Sequence, residues 1–401
     1  MTDLTSAAYS PPASSRLLTR DFALLCTTGC LNFAVHMLAV TSLPLLITGP
    51  IGGTEGDVGL ALSAFYVAAV LLRVPLGRLI DIWGRRAVMT LCLGFLILTS
   101  GGYLLAGSVL GLLVVRALHG ACFAGYGTAG NTMVGDIVPA QRRGEALGYY
   151  GLLGHVALAV TPWIAFQTIQ NSGFGALYLL AAVLAALGVL GALSVREPPR
   201  PAVTITGIRS RLILGLFHPA AFRPAIILCL FTMVYAAQIL FLPLYARVQG
   251  VDDPGLYFAV YGGILMLVRG PAGRISDRIG RGPAIIPGLA LSTVSMLILS
   301  IADTLPLMLV SGAIFATAFA LVTPSLNALV VDITQPSERG SAMATHTTFF
   351  DIGTGVGAAL CGFLAERIGF PATYAAGSTL GLIAISMYAA VVWRRVHAIQ
   401  S

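Results

Sequence analysis

Ionisable side chains stand inside long apolar stretches of this sequence, where charge is costly. They are His36, Arg116, His119, His155, His346 and Asp351. A group of this kind at membrane depth usually faces a bundle interior or a water-filled pathway. Imidazole titrates near pH 6.5, and a buried carboxyl group can also exchange a proton near neutral pH. We therefore predict proton coupling by Asp351, His155 and His119, with hydrogen-bonded packing as the alternative for each His. Arg116 stays charged and could lower the pKa of a nearby carboxyl group or fix an anionic group, with bonding to helix carbonyls as the alternative.

The composition requires a membrane around these groups. Of the 401 residues, 57% are hydrophobic and 10% charged, whereas soluble chains average about 45–50% apolar and 25% charged residues. All 23 basic residues are Arg, which excludes the Lys of phosphate-binding loops and of Schiff-base enzymes. The net charge of +7 is scattered between apolar runs. We expect no enzyme, no cofactor and no nucleic-acid partner.

Twelve apolar segments, each long enough at about 20 residues to cross a bilayer, predict an all-α integral membrane protein. They cover roughly 22–47, 57–76, 87–106, 109–138, 144–166, 174–195, 223–246, 254–272, 283–302, 305–333, 341–365 and 370–393. Most Arg residues fall on one side of these segments, and only Arg247 and Arg367 fall in loops on the other. The positive-inside rule then places both termini in the cytoplasm, with the protein in the inner or plasma membrane.

The chain divides into two similar halves. We predict a six-helix bundle over 1–195, a cytosolic linker over 196–222 with a short interfacial helix at 212–217, and a second bundle over 223–401. A shift of 196 residues superimposes the halves, matching Arg73, Pro75, Gly77, Arg78, Asp81, Gly84, Arg85, Phe123, Asn131, Asp136, Arg143, Gly144 and Ala146 with identical residues. The same shift aligns His155 with Asp351. Two regions matched at one offset indicate duplication, and paired repeats are typical of transporters that alternate around a midplane site.

The run from Gly77 to Arg86, repeated from Gly273 to Arg281, resembles the signature of the major facilitator superfamily. The resemblance implies two pseudo-symmetric six-helix bundles and a latch that joins them when the carrier faces outward. The residues expected in this gating latch are Gly77, Arg78, Asp81, Gly84, Arg85, Asp136, Arg142, Gly273, Arg274, Asp277, Gly280 and Arg281. The superfamily also implies a protein that works as a monomer in the lipid bilayer.

Two further patterns resemble proton-driven members of the superfamily. Arg116-Ala117-Leu118-His119-Gly120 is similar to their fourth-helix motif, in which the Arg is linked to proton movement. The fifth helix keeps Gly148 and Pro162 of the exporter pattern but departs from it at Ala157, Thr161, Ala165 and Phe166. Gly353 and Gly357 are the related small residues of the eleventh segment, and we expect all four retained positions to pack helices closely.

The resulting prediction is export of a small organic solute by proton antiport through alternating access. The expected cavity residues are Asn32, His36, Tyr126, Tyr235, Gln238 and His346. An Arg and several His favour an anionic, zwitterionic or chelate-like solute over a lipophilic cation. Import by proton symport and a membrane receptor without transport are the alternatives. We predict no metal site, because Cys26 and Cys30 have no third ligand at suitable spacing.

Overall fold

A computed structural model describes residues 17–139, 142–198, 217–251, 254–335 and 338–393. These residues are helical apart from short connections, as predicted. The first elements are α1 (Arg20–Leu46), α2 (Glu55–Trp83), α3 (Arg85–Leu105) and α4 (Val109–Ile137). The predicted interfacial helix at 212–217 lies almost entirely outside the described residues. In all, ten helices of the described chain are long and apolar enough to cross a membrane.

Two of these ten helices are each long enough to cross a membrane twice. Arg143–Ser194 has 52 residues and Arg339–Met387 has 49, which correspond to about 75 Å at 1.5 Å per residue. Gly173 and Gly369 interrupt them with φ of 77° and 76°. We name the four parts α5 (143–172), α6 (174–194), α11 (339–368) and α12 (370–387). The prediction of twelve membrane-spanning helices is therefore confirmed.

The remaining elements complete the second half. They are α7 (Phe222–Tyr235), α8 (Gly255–Ile279), α9 (Arg281–Ser300) and α10 (Leu305–Asp332). A π-helical turn at Ala236–Leu240 and the segment Leu242–Val248 extend α7. Helices α1–α6 and α7–α12 form two six-helix bundles, as the resemblance implied.

The repeat is visible in the backbone. Gly84 has φ 103° and ψ 159°, and Gly280, 196 residues later, has φ 95° and ψ 165°. Gly173 and Gly369 are related by the same shift. Residues other than Gly essentially never adopt these backbone angles, because the Cβ atom would clash with the backbone. Gly is therefore required at each of these turns. We call the end of the molecule with the Gly84 and Gly280 turns the arginine-rich end and the other the opposite end.

Helix ends are capped by residues from both near and far in the chain. Thr54 and Asp57 form a reciprocal capping box at the start of α2. Helix α3 begins after Gly84, which has no side chain to offer. Glu197, just after α6, accepts hydrogen bonds from the backbone N–H groups of Arg85 and Arg86 at 3.0 and 3.1 Å. Its carboxylate satisfies free helix-end donors and complements the helix dipole.

The bundles meet along two seams, α2 against α11 and α5 against α8. Gly262 packs against Ala159 across the α5–α8 seam, and Gly355 packs against Tyr66 across the α2–α11 seam. These contacts are related by the 196-residue shift. Ser63 donates to the Gly355 carbonyl at 2.7 Å, and Thr54 donates to Glu366 at 3.2 Å. The seams are therefore packed shut in the half of the molecule toward the opposite end.

Candidate functional site

A cavity of about 450 Å³ lies between the bundles. Its walls come from α1, α2, α4 and α5 of one bundle and from α7, α8, α10 and α11 of the other. Asn131 and Asn327, related by the repeat, line it within about 10 Å of the ends of α4 and α10 at 1.5 Å per residue. The cavity therefore extends toward the arginine-rich end, whereas the packed seams close the other side.

Two repeat-related pairs of charged and polar groups cross the seams beside this cavity. Arg73 on α2 forms an ion pair with Asp351 on α11. Arg269 on α8 bonds His155 on α5, with 2.9 Å between Nη1 and Nε2. Three of these four residues, Asp351, Arg269 and His155, line the cavity. Arg73 does not line it but is bonded to Asp351, which does. The two pairs thus occupy equivalent positions in the two repeats. The arginine is bonded to a carboxylate in one pair and to an imidazole in the other.

The hydrogen bonds of His155 fix its tautomer. Its Nδ1 lies 2.8 Å from the Gly151 carbonyl oxygen, which can only accept. Nδ1 therefore carries the hydrogen, and Nε2 offers its lone pair to the Arg269 guanidinium. The imidazole is neutral while this bond is made, because a protonated ring would place an N–H donor against another donor.

Five of the six residues predicted for the cavity line it: Asn32, His36, Tyr126, Tyr235 and His346. Gln238 does not. It is fully buried inside the second bundle, where its side-chain amide donates to Ser295 at 2.5 Å and its carbonyl oxygen accepts from Tyr257 at 2.8 Å. In the part of the chain that the structure describes, neither ring nitrogen of His346 has a hydrogen-bond partner.

Arg116 and His119 lie inside the first bundle instead of on the cavity wall. Both are fully buried. Arg116 donates to the Tyr103 hydroxyl at 3.3 Å, and that hydroxyl lies 3.0 Å from His119 Nδ1. The guanidinium also stacks over the Phe65 ring at 4.7 Å. The ring centres of His119 and His36 are 5.8 Å apart, and His36 lines the cavity. His36 therefore lies between His119 and the cavity. The proton-coupling role of this cluster remains a prediction.

The expected latch residues form ion pairs within each bundle. Arg85 pairs with Asp136 at 3.0 Å, and Arg281 pairs with Asp332 at 2.9 Å. These contacts join the start of α3 to the end of α4 and the start of α9 to the end of α10. Two other pairs are local, Arg281 with Asp277 at 2.5 Å and Arg142 with Glu145 at 2.8 Å. A latch between bundles remains a prediction for another arrangement of the carrier.

The remaining latch residues lie at the same arginine-rich end. Gly77, Arg78 and Asp81 belong to the last turns of α2, and Gly273 and Arg274 to those of α8. A Cβ atom on Gly77 or Gly273 would meet no atom within 4 Å. These two glycines are therefore not needed for close packing in the present arrangement.

The predicted packing glycines differ in their surroundings. A Cβ atom on Gly357 would lie 2.5 Å from Met233 Cα, and one on Gly353 would collide with the Cys229 carbonyl. Helix α11 therefore needs Gly at both places to approach α7. Pro162 is buried within α5, whereas a Cβ atom on Gly148 would meet nothing within 4 Å.

Sequence reasoning did not assign Arg73 and Arg269 to the site. A signal was present, since each is an Arg inside an apolar helix and each occupies the same place in the repeat. Their partners could not be identified, because the two pairs join residues 278 and 114 positions apart.

Twelve membrane-spanning helices in two repeated bundles, with a cavity between them that contains ionisable groups, define a membrane transporter. The chain belongs to the Major Facilitator Superfamily, whose family model matches residues 25–271 and 254–400. It is 26% identical to the MFS-type transporter YhhS of Escherichia coli K12, over 90% of each chain.

Two further comparisons bear on fold and activity. The chain is 25% identical to the multi-drug resistance efflux pump PmrA of Streptococcus pneumoniae, over 80% of this chain and 82% of that one. A crystal structure of a mutant of the nucleoside transporter NupG superimposes with a TM-score of 0.77 at 16% identity, over 93% of this chain and all of that one. This likeness supports the fold.

Proposed function

We propose that this protein exports a small organic solute in exchange for protons, with Asp351 as the proton-binding group. The observation that carries the proposal is the position of Asp351, which lines the central cavity and forms an ion pair with Arg73 across the seam. A carboxylate in this position is accessible to solvent through the cavity. Asp351 also takes part in a contact between the two bundles, so its protonation state and the arrangement of the bundles are linked.

The linkage has a definite direction. Ionised Asp351 stabilises the present arrangement, because its ion pair with Arg73 joins α2 to α11 while the opposite end is closed. Protonation removes the negative charge and hence the ion pair. A protonated carrier is therefore not held in the present arrangement by this pair and can move between the two arrangements, whereas loss of the proton on the arginine-rich side restores the pair.

Export follows if the arginine-rich end faces the cytoplasm, as the positive-inside rule predicts. The cavity then releases its proton to the cytoplasm and loads solute there while Asp351 is ionised. A proton taken up on the outer side resets the carrier. The similarity to PmrA, an efflux pump, and the Arg116 to Gly120 motif support this direction.

The experiment uses everted membrane vesicles and a panel of radiolabelled organic solutes. Accumulation driven by an acidic vesicle interior is the expected result for an exporter by antiport. Accumulation that requires an alkaline interior indicates symport and import, and tight binding without flux indicates a receptor. Either of those results contradicts the proposal.

Asp351→Asn tests the proton site, and Asp303→Asn, at an exposed position between α9 and α10, is the matched control. We expect Asp351→Asn to abolish accumulation driven by the pH gradient and Asp303→Asn to retain it. Gradient-driven accumulation by Asp351→Asn at the wild-type rate would remove Asp351 from the mechanism.

A further inference from the structure

Arg269 lines the cavity as a cation with no anionic partner. Its hydrogen bond goes to the neutral His155 ring. Among the described residues, no carboxylate lies within ion-pair distance of its guanidinium. A charge held at membrane depth is costly unless an opposite charge or a polar pathway compensates it. We infer that Arg269 binds the anionic group of the transported solute and that His155 positions its guanidinium.

The repeat supplies an internal comparison for this inference. Arg73 occupies the same position in the first half and faces the same kind of seam. Its charge is neutralised by Asp351, whereas residue 155, which corresponds to Asp351, is a histidine. Duplicated positions therefore provide one compensated and one uncompensated guanidinium, and only the second has its charge available to a ligand.

The geometry of the pair leaves Arg269 able to bind. His155 is anchored by its own bond to Gly151 and engages Nη1 of Arg269. A guanidinium has five N–H donors in a planar fork, and it binds carboxylates through two parallel hydrogen bonds. Holding one nitrogen fixes the plane of the fork and leaves donors for a carboxylate, sulfonate or phosphate.

The rest of the cavity indicates the body of the solute. Phe33 lies within 3.7 Å of the Cβ position of Gly154, and both residues line the cavity together with His155 and Arg269. Further rings on the wall are Phe65, Phe123, Tyr150, Tyr235, Phe319 and Phe350. Aromatic rings of a ligand stack favourably on rings of this kind. An aromatic organic anion fits this lining and the cavity of about 450 Å³.

Charge balance agrees with the proposed exchange. With Asp351 ionised, the two guanidinium groups are matched by one carboxylate and by the anionic group of the solute. The loaded cavity then has no net charge from these groups, and solute can cross while Asp351 carries no proton. The inference rests on the proposed function only in treating this cavity as the solute site.

The test measures equilibrium binding to the purified full-length protein at pH 7, with no gradient. The probes are 2-naphthoate and its uncharged analogue 2-naphthamide, and their binding is measured by calorimetry. Loss of a hydrogen bond to a charged group weakens binding by about 10- to 150-fold, so Arg269→Gln is expected to weaken naphthoate binding at least tenfold. Naphthamide binding should change less than twofold. Arg278→Gln, which removes an exposed charge from the same helix, is the matched control and should leave both unchanged.

Arg269→Lys is the second variant if Arg269→Gln does not assemble, because it retains the positive charge but loses the planar fork. A threefold or greater loss of naphthoate affinity, with naphthamide unchanged, supports the inference. Equal losses for both probes, or none for naphthoate, overturn it. Failure of gradient-driven flux in vesicles would reject the antiport proposal and leave this binding result standing.

Discussion

The contact between Gly262 and Ala159 predicts how the carrier can be shifted between its two arrangements. A Cβ atom on Gly262 would lie 2.7 Å from Ala159 Cα and 3.2 Å from its backbone nitrogen. Backbone atoms cannot swing aside, so Gly262→Val must separate α5 from α8. On the next residue, Gly263, a Cβ atom would meet nothing within 4 Å. Gly263→Val is therefore the matched control for the effect of valine on helix propensity.

The magnitude follows from the cost of overpacking, which is about 1–3 kcal/mol. This cost applies only to the arrangement in which the opposite end is closed. Since about 1.4 kcal/mol changes a population ratio tenfold, the ratio of the two arrangements should shift by roughly 5- to 150-fold. Gly262→Val thus favours the state open at the opposite end.

Spin labels at residues 107 and 303 provide the assay. These exposed positions lie in the α3–α4 and α9–α10 connections, at the opposite end of the two bundles. In a background without the six native cysteines, pulsed electron resonance should show a longer distance gaining population in Gly262→Val and not in Gly263→Val. A wild-type distance distribution in folded Gly262→Val protein would refute the role of this contact in closing the seam.

Two further predictions concern stability. Arg73→Gln leaves Asp351, whose side chain is only 13% exposed, without its counter-ion. This should lower the free energy of unfolding by about 1–3 kcal/mol, the cost of a buried polar group left unsatisfied. The double variant Arg73→Gln/Asp351→Asn should lower it less, because no uncompensated charge remains. Thermal melting of both checks this, and a double variant less stable than the single one contradicts it. Gly84→Ala forces a side chain into φ 103°, at a cost of about 1–3 kcal/mol, and should lower the melting temperature by several degrees. Gly77→Ala, in open helical surroundings, should not, and equal melting temperatures would show that the turn tolerates a side chain.

The helices and their repetition were predictable because a bilayer restricts both. The hydrocarbon thickness fixes segment length, and unsatisfied backbone groups are excluded from lipid, so apolar runs of about 20 residues become helices. The 196-residue shift found in the signature also relates Gly173 to Gly369, which the sequence comparison had not used. Backbone geometry thus repeats beyond the residues that revealed the duplication.

Contacts across the cavity were less predictable. Position along a helix gives depth in the membrane, and the depth of Asp351 and His155 was available from the sequence. Which neighbour each side chain faces depends on how the bundles dock, and the alignment of His155 with Asp351 in the repeat did not identify the two arginines as their partners. Gln238 shows the same limit, because its depth suits the cavity but its face of α7 points into its own bundle.

The unequal pairs also determine which way round a solute enters. A cavity made from two equivalent halves accepts a ligand equally well in two orientations related by half a turn. His155 in place of a second carboxylate removes that equivalence, since a negative group is attracted to the α5–α8 wall and gains less at the α2–α11 wall. A bound anion therefore has a head and a tail relative to the protein, and its remaining groups meet different residues on each side. The unequal pairs thus give a bound anion one preferred orientation between the two walls.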